Sequence, residues 1–150
     1  MRRLIAVCLA VAGITTTAGC QSDTKTAQQG APMAMMTLTW TDLVGDWVGN
    51  SIMLNSDSIV TPVTFAFDAN KHAWLKFPNR EPVPARVTAM GGDSVVVEAG
   101  PYPSVTRPGR MVTVASVLHV RNHMLWGKVH AAFDNGEATD TRIKANHQMH

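Results

Sequence analysis

Residues 110–133 read RMVTVASVLHVRNHMLWGKVHAAF, and this stretch decides the fold. Apolar and polar residues alternate on both sides of residues 122–123, which is the pattern of half-buried β-strands. If residues 122–123 form a two-residue turn, Val120 faces Leu125, and the apolar side chains of one arm meet those of the other. The stretch therefore predicts an antiparallel hairpin with one buried face.

The same pattern continues outward from this hairpin in both directions. Turn-forming residues at 68–71, 91–92 and 134–136 separate short segments that are rich in β-branched and aromatic residues. The predicted strands are 46–54, 60–67, 72–77, 83–89, 94–100, 110–121, 124–133 and 138–144. Short strands joined by tight turns indicate an all-β meander, which protects its edges best by closing into a small up-and-down barrel. A two-sheet sandwich is the alternative.

The start of the first predicted strand carries a motif, LVGDWVG at residues 43–49. It resembles the Gly-x-Trp signature of lipocalins and their calycin relatives. The resemblance implies a helical turn over 40–44 and a Trp47 indole that closes the base of the barrel. It also implies that Arg142, on the last predicted strand, stacks over Trp47, a cation–π contact worth roughly 0.5–2 kcal/mol.

The resemblance further implies that the barrel binds a small apolar ligand or lipid. An eight-stranded barrel is just wide enough either to be filled by its own side chains or to hold one small ligand. The predicted inward side chains are large, so a filled interior is as compatible with the sequence as a ligand pocket. The candidate ligand-binding residues are Phe65, Phe67, Leu75, Phe77, Leu118, Leu125 and Phe133.

The first twenty residues read MRRLIAVCLAVAGITTTAGC and have the form of a secretory signal. Two arginines precede an apolar segment that is too short to span a bilayer, and small residues lead into Cys20. This ending resembles a bacterial lipobox, which implies that Cys20 is lipidated and becomes the mature N-terminus. With Gln21 rather than Asp after it, the resemblance implies a lipid-anchored protein on the periplasmic side of the outer membrane. An ordinary secretory signal cut near Ala18 is the alternative.

These features divide the chain into four parts. Residues 1–19 are the predicted signal peptide, and the small and polar residues 20–39 are a predicted flexible tether. Residues 40–145 are the predicted lipocalin-like barrel, and residues 146–150 are a predicted disordered tail.

Composition narrows the classes of function. The 150 residues contain 13 Lys and Arg against 11 Asp and Glu, and removal of Arg2 and Arg3 with the signal leaves equal numbers. The mature chain thus lacks the excess positive charge of a nucleic-acid-binding protein. Beyond Cys8 in the signal and Cys20, no cysteine is available for a disulfide or a zinc site.

No catalytic constellation is evident, and we expect neither a metal nor a cofactor. Residues 92–94 read Gly-Asp-Ser, but they stand where a hairpin turn is predicted, so a hydrolase nucleophile is not expected. The sequence therefore predicts a non-catalytic binding protein. The alternative is a module with a solid core that presents Trp74 and Trp126 to a protein partner in the cell envelope.

Overall fold

A computed structural model of the protein describes residues 37–148, which form one short helix and eight strands. The elements are α1 (Trp40–Leu43), β1 (Gly45–Met53), β2 (Ile59–Phe67), β3 (Ala73–Lys76), β4 (Val83–Gly91), β5 (Ser94–Pro103), β6 (Met111–Arg121), β7 (Met124–Phe133) and β8 (Ala138–Gln148). Each strand pairs antiparallel with the next, and β8 pairs with β1, so the sheet closes. The predicted antiparallel barrel is confirmed, and the sandwich is excluded. Among these residues, no helix is long and apolar enough to cross a bilayer.

The hairpin of β6 and β7 has the predicted register. Val120 pairs with Leu125, and Leu118 pairs with Gly127. Along β6, buried and exposed residues alternate from Met111 to Leu118. The period-two pattern therefore predicted the register of this hairpin and the alternation of faces along residues 111–118.

The last strand is longer than predicted. β8 continues to Gln148, and its final residues pair with β1, where Asp46 lies opposite Gln148. The backbone N–H of His147 also donates to the carbonyl of His123 over 2.9 Å. The predicted disordered tail is thus wrong for residues 146–148, because the first strand needs a partner along its whole length. Residues 149–150 lie outside the described residues.

The packed domain also begins earlier than residue 40. Leu38 is buried, and its backbone N–H donates to the carbonyl of Gly92 over 2.6 Å. The predicted tether therefore ends before Leu38 rather than at residue 39. The predicted signal, Cys20 and residues 21–36 lie outside the described residues.

The two ends of the barrel differ. At one end, which we call the closed end, α1 and three tight turns surround a packed core. At the other, the open end, the strands are joined by the loops at 54–58, 77–82, 104–110 and 134–137. The core of the closed end contains Trp47, Phe67, Val95, Leu118, Leu125 and Ala145.

Trp47 closes the barrel, but its partner is His147 and not Arg142. The Trp47 indole is 2% exposed, and its ring centroid lies 4.6 Å from that of His147. The indole N–H donates to the carbonyl of Leu43 over 2.7 Å, and the His147 Nε2–H donates to the carbonyl of Val44 over 3.0 Å. These contacts tie the helical turn, the first strand and the last strand together.

The register explains why the predicted contact with Arg142 is wrong. Trp47 pairs with His147, whereas Arg142 pairs with Ile52 near the open end. Arg142 is exposed and therefore points outward, and it forms an ion pair with Asp57. The last strand was correctly predicted to supply the partner of the indole. The residue was wrong, because the final residues of that strand were assigned to the tail.

Candidate functional site

A cavity of about 320 Å³ occupies the open half of the barrel. Four of the seven predicted ligand-binding residues line it, namely Phe65, Leu75, Phe77 and Phe133. The other three, Phe67, Leu118 and Leu125, are buried but do not line the cavity. They pack beneath it in the closed end, so the interior is neither wholly hollow nor wholly solid.

Chain position explains this division of the seven residues. Phe67 is the last residue of β2 and Leu125 the second of β7, so both lie where the helical turn and the Trp47 indole fill the barrel. Phe133 and Phe77 lie at the opposite ends of their segments, beside the loops of the open end. Alternation identifies which residues point inward, but it does not report their height along the barrel axis.

Several hydroxyl side chains interrupt the apolar lining, and three of them, Ser51, Ser116 and Thr141, are buried on strands. Ser51 on β1 donates to the Thr141 hydroxyl on β8 over 2.9 Å. Ser116 lies on β6, in the inward series that also holds Val114 and Leu118. It is the deepest residue of β6 that lines the cavity, because Leu118 does not reach it. These three residues were not predicted from the sequence, although a serine at an inward position between valine and leucine was a visible signal.

The loop between β5 and β6 forms one side of the cavity mouth. The Ser104 hydroxyl accepts hydrogen bonds from the backbone N–H groups of Thr106 (3.2 Å) and Arg107 (3.0 Å). From outside, the Arg80 guanidinium donates to the carbonyls of Pro103 and Ser104 over 2.7 and 3.2 Å. The loop is therefore held by hydrogen bonds at several points.

Arg107 extends from this loop across the mouth. Its guanidinium carbon lies 4.3 Å from the centroid of the Phe133 ring, and it forms an ion pair with Glu137. It also donates to the Thr139 hydroxyl over 3.3 Å. The hydrogen bond of the Asn135 side chain and the Arg107 charge hold the pKa of Glu137 below its usual value. The mouth thus carries a paired charge rather than a free one.

Tyr102 is a buried ionisable residue of the cavity lining. Burial raises the pKa of its phenol to about 12, an effect that the charge of Arg80 partly opposes. The phenol therefore keeps its proton at neutral pH and can act as a hydrogen-bond donor. Tyr102 therefore adds no charge to the cavity.

A Ser–His–Asp cluster lies at the closed end, at the turn where no nucleophile was expected. The Ser94 hydroxyl and an Asp93 carboxylate oxygen lie 3.0 and 3.2 Å from the same atom, Nδ1 of His119. A catalytic triad needs the nucleophile and the carboxylate on opposite ring nitrogens, so that one positions the imidazole while the other gives up its proton. This arrangement instead stabilises the turn between β4 and β5.

The two tryptophans predicted to face a protein partner are both half-buried. Trp74 lies near the ring of His72, and Trp126 stacks on His119 with ring centroids 5.8 Å apart. Trp74 is on β3 and Trp126 is on β7, four strands apart in either direction around the closed sheet. The two indoles therefore lie on opposite sides of the barrel and do not form one patch.

Within residues 37–148, no group of three or more His, Cys, Asp or Glu side chains is arranged to hold a metal ion. No family model, curated protein or solved structure matches the chain. The case for a function therefore rests on the cavity and on its lining residues.

Proposed function

We propose that this protein binds one small, mainly apolar molecule, without catalysis, in the open half of its barrel. The observation that carries the proposal is the cavity of about 320 Å³, lined chiefly by aromatic and aliphatic side chains. Ligand pockets have volumes from about 300 Å³ upward and are mostly apolar, with a few polar groups that orient the ligand. The cavity has both properties.

The volume limits the size of the ligand. A protein cavity of about 150 Å³ binds benzene, which has six non-hydrogen atoms. Scaling from that volume, the present cavity of about 320 Å³ holds about a dozen non-hydrogen atoms. A substituted bicyclic aromatic or a short branched chain fits this limit, whereas a whole phospholipid is much too large.

The alternative function, a solid module for protein contacts, receives less support. It requires a filled interior, whereas the open half contains the cavity. It also requires that Trp74 and Trp126 share a surface, whereas they lie on opposite sides of the barrel.

A pair of neighbouring alanines allows a controlled test. Ala131 lines the cavity, and Ala132, the next residue of β7, is exposed on the outer face. Ala131→Phe fills part of the cavity, whereas Ala132→Phe adds the same side chain outside. With 1-methylnaphthalene as the probe, we expect calorimetry to show binding to the wild type and to Ala132→Phe, and at least tenfold weaker binding to Ala131→Phe.

Native mass spectrometry of the protein purified from its own cells provides the second readout. We expect a retained small molecule on the wild type and on Ala132→Phe but not on Ala131→Phe. If no variant binds the probe or retains a molecule, the binding function is rejected. A copurifying protein chain in its place would favour the module.

We also propose that the protein is anchored in the cell envelope, at the outer membrane, through lipid on Cys20. The support is the sequence of residues 1–20, a signal that ends in small residues before a cysteine. Cys20→Ala is expected to abolish metabolic labelling with palmitate and to release the domain in soluble form. Labelling that persists in this variant would exclude the anchor.

A further inference from the structure

Ser116 is the feature of the cavity that apolar binding alone does not explain. Its hydroxyl is the one buried side-chain polar atom without a hydrogen-bond partner among the described residues. The residue is 1% exposed and points inward, at the deepest cavity-lining position of β6. Because a buried polar group without a partner costs free energy, such a group in a native protein calls for an explanation.

The neighbouring hydroxyls do not satisfy Ser116. Ser51 and Thr141 pair with each other across the junction of β1 and β8. Thr141 pairs with Val129 on β7, and Val129 pairs with Ser116 on β6, so a valine separates the third hydroxyl from the first two. The deep part of the cavity therefore contains one hydrogen-bonded pair, Ser51 and Thr141, and one hydroxyl without a partner, that of Ser116.

The rest of the lining at this depth is apolar, and the charge is elsewhere. Phe65, Leu75, Val129 and Ile143 line the cavity on the other strands. Arg107 is the one charged residue of the lining, and it lies at the mouth, paired with Glu137. A carboxylate placed beside Ser116 would lose its hydration without meeting a positive charge, which is strongly unfavourable. A neutral hydrogen-bonding group pays a much smaller desolvation cost there.

We infer that the ligand is an apolar molecule with one neutral oxygen function, an alcohol, phenol or ketone, and that it enters with the oxygen first to bond with Ser116. This inference rests on the proposed function and specifies its ligand class. The serine hydroxyl both donates and accepts, so it serves any of these groups. The remaining atoms of the ligand lie against the aromatic side chains nearer the mouth.

The test compares two probes that differ in a single group. 1-Naphthol and 1-methylnaphthalene have the same shape and the same number of non-hydrogen atoms, but only 1-naphthol carries a hydroxyl. Calorimetry on the full chain measures both probes against the wild type and against Ser116→Ala. Since a net hydrogen bond corresponds to roughly a fivefold change in affinity, we expect Ser116→Ala to weaken 1-naphthol about fivefold. Binding of 1-methylnaphthalene should be unchanged or slightly tighter.

The outcomes separate this inference from the proposed function. If Ser116→Ala leaves the affinity ratio of the two probes unchanged, the inference is overturned, and binding of 1-methylnaphthalene still upholds the cavity as a site. That result would mean that water satisfies the serine. If neither probe binds the wild type, both proposals fail. Ser116→Ala removes an unpartnered group and should fold normally, and Ser116→Cys, whose larger thiol is a weaker hydrogen-bond partner, should also weaken 1-naphthol relative to 1-methylnaphthalene.

Discussion

At the scale of single residues, the contact between Trp47 and His147 joins the first and last strands at the closed end. The half-buried imidazole packs against the indole and donates to the carbonyl of Val44. Gly45 makes room for it, because a Cβ at that position would lie 2.3 Å from His147 Nε2, and its φ of +128° disfavours other residues. Steric crowding by His147 and the positive φ therefore explain why a glycine occupies position 45.

His147→Ala should destabilise the barrel, and Arg142→Ala should not. The first substitution removes an aromatic contact and a hydrogen bond, each worth about 0.5–1.5 kcal/mol, so we expect a loss of about 1–2 kcal/mol at this half-buried site. The second removes an exposed ion pair, and a loss below about 0.5 kcal/mol is expected. Urea unfolding of the two variants measures the difference. If Arg142→Ala lowered the free energy of unfolding as much as the expected loss for His147→Ala, Arg142 would contribute to closure after all.

The sequence identified one member of this contact and missed the other for a physical reason. Trp47 was recognisable because a short motif fixes its position in the first strand. His147 lies in a polar segment, ANHQ, whose order comes from backbone pairing with β1 and not from its own hydrophobicity. Ser116 was missed for a related reason, since alternation indicates that a serine points inward but not whether another hydroxyl reaches it.

At the scale of elements, the β1–β8 junction depends on close approach of two backbones. Gly49 pairs with Ala145, and a Cβ at Gly49 would lie 2.0 Å from the carbonyl oxygen of Lys144 and 2.5 Å from Cα of Ala145. A glycine inside a strand often marks such an approach. The strands and their order were predictable from period-two patterning and turn residues, but this contact depends on closure and could not be read from either strand alone.

Gly49→Ala should therefore weaken the junction between the first and last strands. Backbone atoms must shift to accept the new methyl group, so we expect a loss of at least about 1–3 kcal/mol, the usual range for overpacking. Gly91→Ala is the matched control, because a Cβ there has no atom within 4 Å. Thermal unfolding of both variants provides the measurement. Similar midpoints for the two would contradict the close approach inferred at Gly49.

At the scale of the whole molecule, the barrel has a packed half and a hollow half. The closed end is filled by large side chains beneath a hydrogen-bonded indole, while the open end leaves a cavity. Fold class and inward faces followed from the sequence. The boundary between packed and hollow halves did not, because it depends on how side chains from all eight strands meet at one height.

Stability should also fall in acid. Hydrogen bonds, led by that from the His72 backbone N–H, lower the pKa of Asp68 from its ordinary 3.8, and those of Thr39 lower the pKa of Asp42 likewise. A lowered pKa in the folded state stabilises the protein above the ordinary value, and this contribution is lost as pH falls through the folded value. We expect the thermal midpoint to drop from about pH 5 to about pH 3, and less steeply in Asp68→Asn. A thermal midpoint that rises as the pH is lowered from about 5 to about 3 would refute the stabilising role of these two carboxylates.

The β1–β8 pairing has a consequence for how the protein is made. The ribosome completes β1 before any of the other seven strands, and β8, the neighbour that β1 needs, is translated after all of them. Until β8 joins it, a sheet formed by the first seven strands has two unpaired edges, and such edges recruit strands from other chains. A chain truncated within β8 would consequently self-associate through its unpaired edges, rather than form a slightly less stable barrel.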